Sequence, residues 1–445
     1  MKKTRLQSNH LRGAFAITHA KIVTHKKIFE GNVLVKNGKI VKISKSALKE
    51  KVPTIDIQGM YLLPGLIDVH VHFRTPGMTE KEDWVTGSKA ALAGGVTTVI
   101  DMPNTKPPTI DAASLKAKRA LVKKDAMVNY GFFAGATNEN VAEIKKLKGI
   151  AGVKIFMGSS TGTLLVDDKK ALEKFFGAKI LCALHAEDEH CIEMAQTKYA
   201  GKNDPAVHSM VRPPECALTA VKEALHLAKK CGTRVHICHV TTEQELKIIR
   251  KFKSNKVSAE VTPHHLFLNT SDYRTYGNVI KVNPPIRSMN DQVALWEGLK
   301  DGTIDMISSD HAPHLMKEKM QPYDNAPSGV PGVQTILPLM LNAVNEGKID
   351  LEKVVELTSY NPAKRFGMKG KGEIKVGMDA DLTVVDMQLY EKVCHDYLWT
   401  KVNWSPFHGW WLTGWPVMTF VNGELAYEWR DRFYKVKGKE ITFTV

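Results

Sequence analysis

The run Leu66-Ile67-Asp68-Val69-His70-Val71-His72-Phe73-Arg74 begins as an apolar strand and ends in polar side chains. Residues two apart on a strand project to one side, so His70 and His72 stand together, with Asp68 and Arg74 in phase. A soluble core strand rarely carries His, Asp and Arg on such positions unless they are paired or liganded. Two neighbouring imidazoles can share a metal ion, and imidazole suits zinc. A pair of buried, hydrogen-bonded histidines is the plainer alternative.

The same design recurs along the chain. Strand-like runs at residues 66–73, 96–102, 128–135, 153–157, 180–185, 234–240, 257–263 and 305–310 alternate with helix-like segments. In residues 217–230, Ala217, Ala220, Val221, Ala224, Leu225 and Ala228 fall on one helical face. Eight strands alternating with helices are what a closed (β/α)8 barrel needs. The first 62 residues and the last 70 alternate in the period-two manner, with Asn37-Gly38 and Asn422-Gly423 as hairpin turns. The expected architecture is a barrel over residues 63–375 and a small β-sandwich built from both chain ends, 1–62 and 376–445.

Barrel enzymes place chemistry at the C-terminal ends of their strands. Lys154 stands inside the apolar run Gly152-Val153-Lys154-Ile155-Phe156. A buried amine tends to lose its proton and can then add carbon dioxide; a snorkelling lysine is the competing reading. His185 and His239 close two further strands, and Asp310 closes the last. Asp310 is the candidate general base, taking a proton from an attacking water and passing it to a leaving nitrogen. A helix N-cap is its alternative role. His236 and Cys238 have the opposite parity to His239 and should face the helices unless the strand bulges. His190, His208 and His226 lie in polar or helical stretches and carry no expected role. Arg74, Asn104, Asn283 and one histidine, with His264-His265 following the seventh strand, are candidates to fix a carboxylate-bearing ring, Arg74 through a bidentate pair.

The composition is that of an ordinary globular chain: 445 residues, 43% hydrophobic and 24% charged. The net charge of +15 comes in short, scattered runs without a nucleic-acid motif, so it favours anionic small molecules over nucleic acid. No apolar run is long enough to span a bilayer, and no secretory signal opens the chain. The six cysteines form no C-x-x-C pair and are expected as free thiols in a reducing cytoplasm.

These motifs resemble the amidohydrolase superfamily, and within it the class I dihydroorotases. The likeness runs through the D-x-H-x-H-x-R start, Met102-Pro103-Asn104-Thr105, His185-Ala186-Glu187, Pro263-His264-His265, Ser309-Asp310-His311-Ala312-Pro313-His314 and Asn361-Pro362-Ala363. The resemblance implies two zinc ions bridged by a carboxylated Lys154 and a hydroxide. His70, His72 and Asp310 would hold one ion, His185 and His239 the other. It implies substrate contacts from Arg74, Asn104, His265, Asn283 and His314, and a covering loop over residues 159–166. Cys238, Glu260 and His314 match the residue types of a third zinc site in some relatives. The implied reaction is the reversible cyclisation of N-carbamoyl-L-aspartate to L-dihydroorotate, in homodimers. Two other readings stand beside it: another cyclic amidohydrolase, such as an allantoinase or dihydropyrimidinase, and an inactive scaffold.

Overall fold

A computed structural model describes residues 13–160 and 164–444. Five strands come first: β1 (Ala14–Val23), β2 (Ile28–Lys36), β3 (Lys39–Ser44), β4 (Thr54–Asp56) and β5 (Tyr61–Pro64). Eight parallel strands follow: β6 (Leu66–Val71), β7 (Val96–Asp101), β8 (Asn129–Gly135), β9 (Gly152–Phe156), β10 (Cys182–His185), β11 (Val235–Ile237), β12 (Val257–Val261) and β13 (Met306–Ile307). Each falls inside the run read from sequence, apart from β9, which begins one residue earlier, and most are shorter than that run. They pair in order from β6 to β13. Val71 then bridges His311, whose carbonyl accepts from His72 N at 2.8 Å, so the first stave meets the last.

Helices wrap the barrel because each has one apolar stripe. Helix Pro214–Cys231 starts with proline at its first turn, ends at left-handed Gly232 and buries Ala217, Ala220, Val221, Ala224, Leu225 and Ala228. Ile67, Val69, Ile100, Phe133, Ala183 and Met306 form an apolar cluster contributed by five barrel strands, which is the packed interior such a barrel requires.

The chain ends form one sheet rather than two separate ones. Strands β14 (Leu382–Lys392), β15 (Trp411–Val421), β16 (Glu424–Glu428) and β17 (Arg432–Phe433) continue it in the order β17-β16-β15-β14-β5-β1-β2-β3, with β4 beside β1. The sheet folds over itself. Phe15 of β1 stacks on Phe420 of β15 at 5.5 Å although two strands separate them in the pairing order. The expected sandwich is therefore a single bent sheet closed over its own core.

Two expectations need correction. The C-terminal tail does not stay with the sheet: Glu440 bridges Tyr130, and Phe443 bridges Met368 and packs on Gly131, against the barrel. Nor are all six cysteines free. Cys191 and Cys216 form a disulfide between the first turns of two neighbouring helices, leaving Cys182, Cys231, Cys238 and Cys394 as thiols. No helix among the described residues is long and apolar enough to cross a membrane.

Candidate active site

At the C-terminal mouth of the barrel, one cavity is lined by His70, His72, Arg74, Asn104, Lys154, Phe156, Ser160, His185, His239, Asn283, Asp310, Ala312, Ser328 and Gly329. Strand ends far apart in the chain thus meet at one point. Ring centroids of His70 lie 5.4 Å from those of both His72 and His239, and His185 to His239 is 4.8 Å. Asp310 Oδ1 lies 3.3 Å from His70 Nε2 and 3.1 Å from His72 Nε2.

Backbone conformation brings several of these groups inward. Arg74 (φ 58°), His239 (φ 36°) and Asp310 (φ 43°) are left-handed, a conformation that costs a non-glycine residue about 1–3 kcal/mol and clusters at functional sites. Because His239 turns this way just past β11, it enters the cavity. His236 and Cys238 do not face the helices, as alternation predicted. His236 bonds Glu260 Oε2 at 3.0 Å, and Cys238 Sγ accepts from Lys154 Nζ at 3.0 Å.

Most of the imidazoles are held from behind. Glu260 Oε1 meets His70 Nδ1 at 2.5 Å, Asn104 Oδ1 meets His72 Nδ1 at 2.7 Å, and Glu187 Oε2 meets His185 Nε2 at 2.9 Å. Glu187 is in turn gripped by Arg212, through Nε at 3.0 Å and Nη2 at 2.6 Å. Burial pushes His70, His72, His185 and His239 below the usual imidazole range, the direction that favours the neutral form metal ligands need. Burial alone would raise the Glu260 carboxyl, but His70 and His236 outweigh it and hold it well below its ordinary value.

The residues present fit a metal. Donor atoms of His70, His239 and Asp310 lie within 4.8 Å of one another, and His185 Nδ1 is 3.1 Å from His239 Nε2. His239 Nδ1 is buried without a hydrogen-bond partner, which is unfavourable unless something binds the ring. Imidazole and carboxylate donors together suit zinc.

The carboxylate-binding candidates divide. Arg74 is 1% exposed and donates to Pro313 O at 3.3 Å (Nε) and 3.1 Å (Nη2), with His314 Nε2 3.3 Å from Nη2. Burial pulls its guanidinium down to about 10, still charged at neutral pH. Asn104 and Asn283 line the cavity; His314 reaches it through Arg74 and Ser328 O. His265 does not line it: its nitrogens meet Thr262 Oγ1 at 2.7 Å and Pro284 O at 3.0 Å. Asp68 turns toward β13, accepting from Ser309 N at 3.1 Å and His70 N at 3.2 Å. The third-site trio is not assembled as a trio. Cys238 and Glu260 converge with His70 instead of His314. Of the loop at 159–166, residues 161–163 lie outside the described residues.

Sequence reading missed the supports. His208, given no role, meets Asn283 Oδ1 and Val282 O, each at 2.9 Å. Glu260 and Glu187 had a signal: each is a carboxylate in or just past an apolar strand, two residues from another polar residue in phase.

Comparison with known proteins agrees with this geometry. Residues 61–426 match the amidohydrolase family. A dihydroorotase of Methanosarcina mazei is 42% identical over 95% of this chain and 98% of its own. One from Pyrococcus abyssi is 40% identical over 95% and 97%. Among solved structures, the L-hydantoinase of Arthrobacter aurescens superposes with a TM-score of 0.93 at 31% identity, over 97% of this chain and all of that one. The chain belongs to the amidohydrolase family, on its dihydroorotase branch.

Proposed function

We propose that the protein is a dihydroorotase, hydrolysing and re-forming the ring amide of L-dihydroorotate, with N-carbamoyl-L-aspartate as the open-chain partner. The observation that carries this reading is Arg74. A buried guanidinium lies beside the cavity, bonded to a carbonyl and near an imidazole; Asp310, Asp101 and Glu82 support its charge without a direct ion pair among the described residues, which leaves it able to pair with a bound anion. The substrate's carboxylate supplies one, whereas hydantoins and dihydrouracil do not.

His70, His72 and Asp310 would hold one zinc ion and His185 and His239 a second, with Lys154, carboxylated, between them. When bound, zinc lowers the pKa of a water and polarises the ring carbonyl. The chain's own residues do the rest. Arg74, with Asn104 and Asn283 on the cavity wall, orients the ring. As the water oxygen bonds to the carbonyl carbon, Asp310 accepts the water's proton. It returns that proton to the ring nitrogen as the carbon–nitrogen bond breaks; cyclisation runs the same path backwards. Burial raises the Asp310 carboxyl above its ordinary value, which suits a group that must both take and give a proton. A homodimer in the cytoplasm, with no nucleic-acid or membrane partner, completes the reading. The Cys191–Cys216 bridge is compatible with an intracellular setting in organisms that keep disulfides there.

The test compares substrates. Arg74→Ala should lower kcat/KM for dihydroorotate by about 10²-fold or more, as when a buried charge-assisted pair worth ~2–5 kcal/mol is lost. Activity on dihydrouracil or hydantoin, if any, should change little. Equal losses on charged and uncharged rings would point instead to a hydantoinase-type activity.

A further inference from the structure

The segment between β14 and β15 leaves the end sheet and returns to the mouth of the barrel. It touches both flanks of the run Asp310–His314. On one side, Thr400 Oγ1 donates to Glu82 Oε2 at 2.5 Å, and Lys401 N donates to Glu82 Oε1 at 3.2 Å. Glu82 is fully buried, and its Oε2 also meets His311 Nε2 at 3.0 Å. His311 Nδ1 accepts from Gly332 N at 3.1 Å, and the His311 carbonyl accepts from His72 N. On the other side, Trp404 Nε1 donates to His314 O at 2.8 Å, and Trp404 is 2% exposed. Neither Thr400 nor Trp404 lines the cavity.

Asp310 immediately precedes the first of these clamps and holds a left-handed conformation, which persists only where neighbours over-determine it. We infer that Thr400 and Trp404, carried by the small domain, are positioning residues for the barrel's chemistry. Thr400 acts through Glu82 and His311 on the general base Asp310. Trp404 acts through His314 on Arg74. The two contacts serve different tasks, because Asp310 moves a proton and Arg74 holds the substrate. The inference rests on the dihydroorotase reading, since it assigns those tasks. It explains why this segment packs on the catalytic mouth, where a link serving only the end sheet would have no reason to go.

Thr400→Val removes one donor to Glu82 while keeping the shape. It should lower kcat for dihydroorotate about tenfold with KM within about twofold, because small displacements of a reacting group are costly. Thr400→Ser keeps the hydroxyl and should restore kcat to within about threefold. Trp404→Phe should raise KM about five- to tenfold with a smaller effect on kcat. Metal content and thermal midpoint are measured on each protein, so that a loss of folded enzyme is recognised. If wild type itself fails to open dihydroorotate, the functional reading falls. If wild type is active, the inference is overturned by any of three results: unchanged constants in Thr400→Val and Trp404→Phe, losses that only track metal content or melting, or failure of Thr400→Ser to restore kcat.

Discussion

Replacing Arg212 by Met should weaken both the fold and the grip on metal. Arg212 and Glu187 form a buried pair, 4% and 0% exposed, with Nη2 to Oε2 at 2.6 Å and Nε to Oε2 at 3.0 Å. The same guanidinium donates to Ser159 O at 2.7 Å, where the loop beside the cavity begins. Removing one partner of a buried pair costs about 3–5 kcal/mol when the other charge is left alone; here Arg287 Nη2 stays 4.0 Å from Glu187 Oε1, so the loss should fall toward the lower end of that range. Glu187 can relieve that cost by taking a proton, but it then ceases to be an anionic acceptor for His185 Nε2. Loss of such a support behind a metal-binding imidazole lowers affinity about 10–100-fold. Two measurements follow: urea unfolding of chelator-stripped protein at pH 7, and zinc competition against a chromophoric chelator. The double variant Glu187→Gln/Arg212→Met removes both charges and should be less destabilised than Arg212→Met alone, with a coupling of about 1–3 kcal/mol. A single variant with wild-type unfolding and wild-type zinc affinity would refute the claim that this pair supports His185. So would strictly additive effects in the cycle.

Three other outcomes are expected. Asp310→Asn should keep much of its metal, since His70 and His72 remain, yet lose about 10²–10⁴-fold in turnover; near-normal steady-state rates would remove Asp310 as general base. Lys154→Ala should bind fewer metal ions per chain, counted by atomic absorption, and an unchanged count would exclude Lys154 as the bridge. Thiol titration of the unfolded protein should find four reactive groups without reductant and six after reduction, given the Cys191–Cys216 link; six in both conditions would show that the bridge does not form.

The barrel was legible in the sequence for a physical reason. Parallel strands covered on both faces read as short apolar runs, so His70, His185 and Asp310 stood out toward their ends and Lys154 in the middle of one. The end sheet was legible strand by strand through alternation and the two Asn-Gly turns. Its single continuous topology was not, because pairing order depends on contacts such as Lys39 with Asp379 that join residues hundreds of positions apart. Alternation failed where the backbone leaves the strand conformation. The inward turn of His239, and with it the true direction of His236 and Cys238, depends on a φ of 36° that no residue type announces. The clamp on Asp310 was invisible for the same reason as the sheet order: Glu82 and Thr400 are 318 residues apart.

Sequence also hides which nitrogen each imidazole presents, and the supports decide that. His70 and His72 each give Nδ1 to a protein acceptor, Glu260 and Asn104, and so turn Nε2 toward Asp310. His185 gives Nε2 to Glu187 and turns Nδ1 toward His239. The two halves of the site thus use opposite faces of the same ring, each fixed by a partner on another strand or on the loop that follows. His239 differs: its Nδ1 has no acceptor behind it, and its orientation comes from its backbone, whose N–H donates to Glu260 Oε1 at 3.3 Å. Glu260 therefore orients His70 through a side chain and His239 through the main chain. One carboxylate on β12 sets a ligand candidate in each half, so its loss should disturb both halves together, whereas loss of Glu187 should disturb only the half that contains His185.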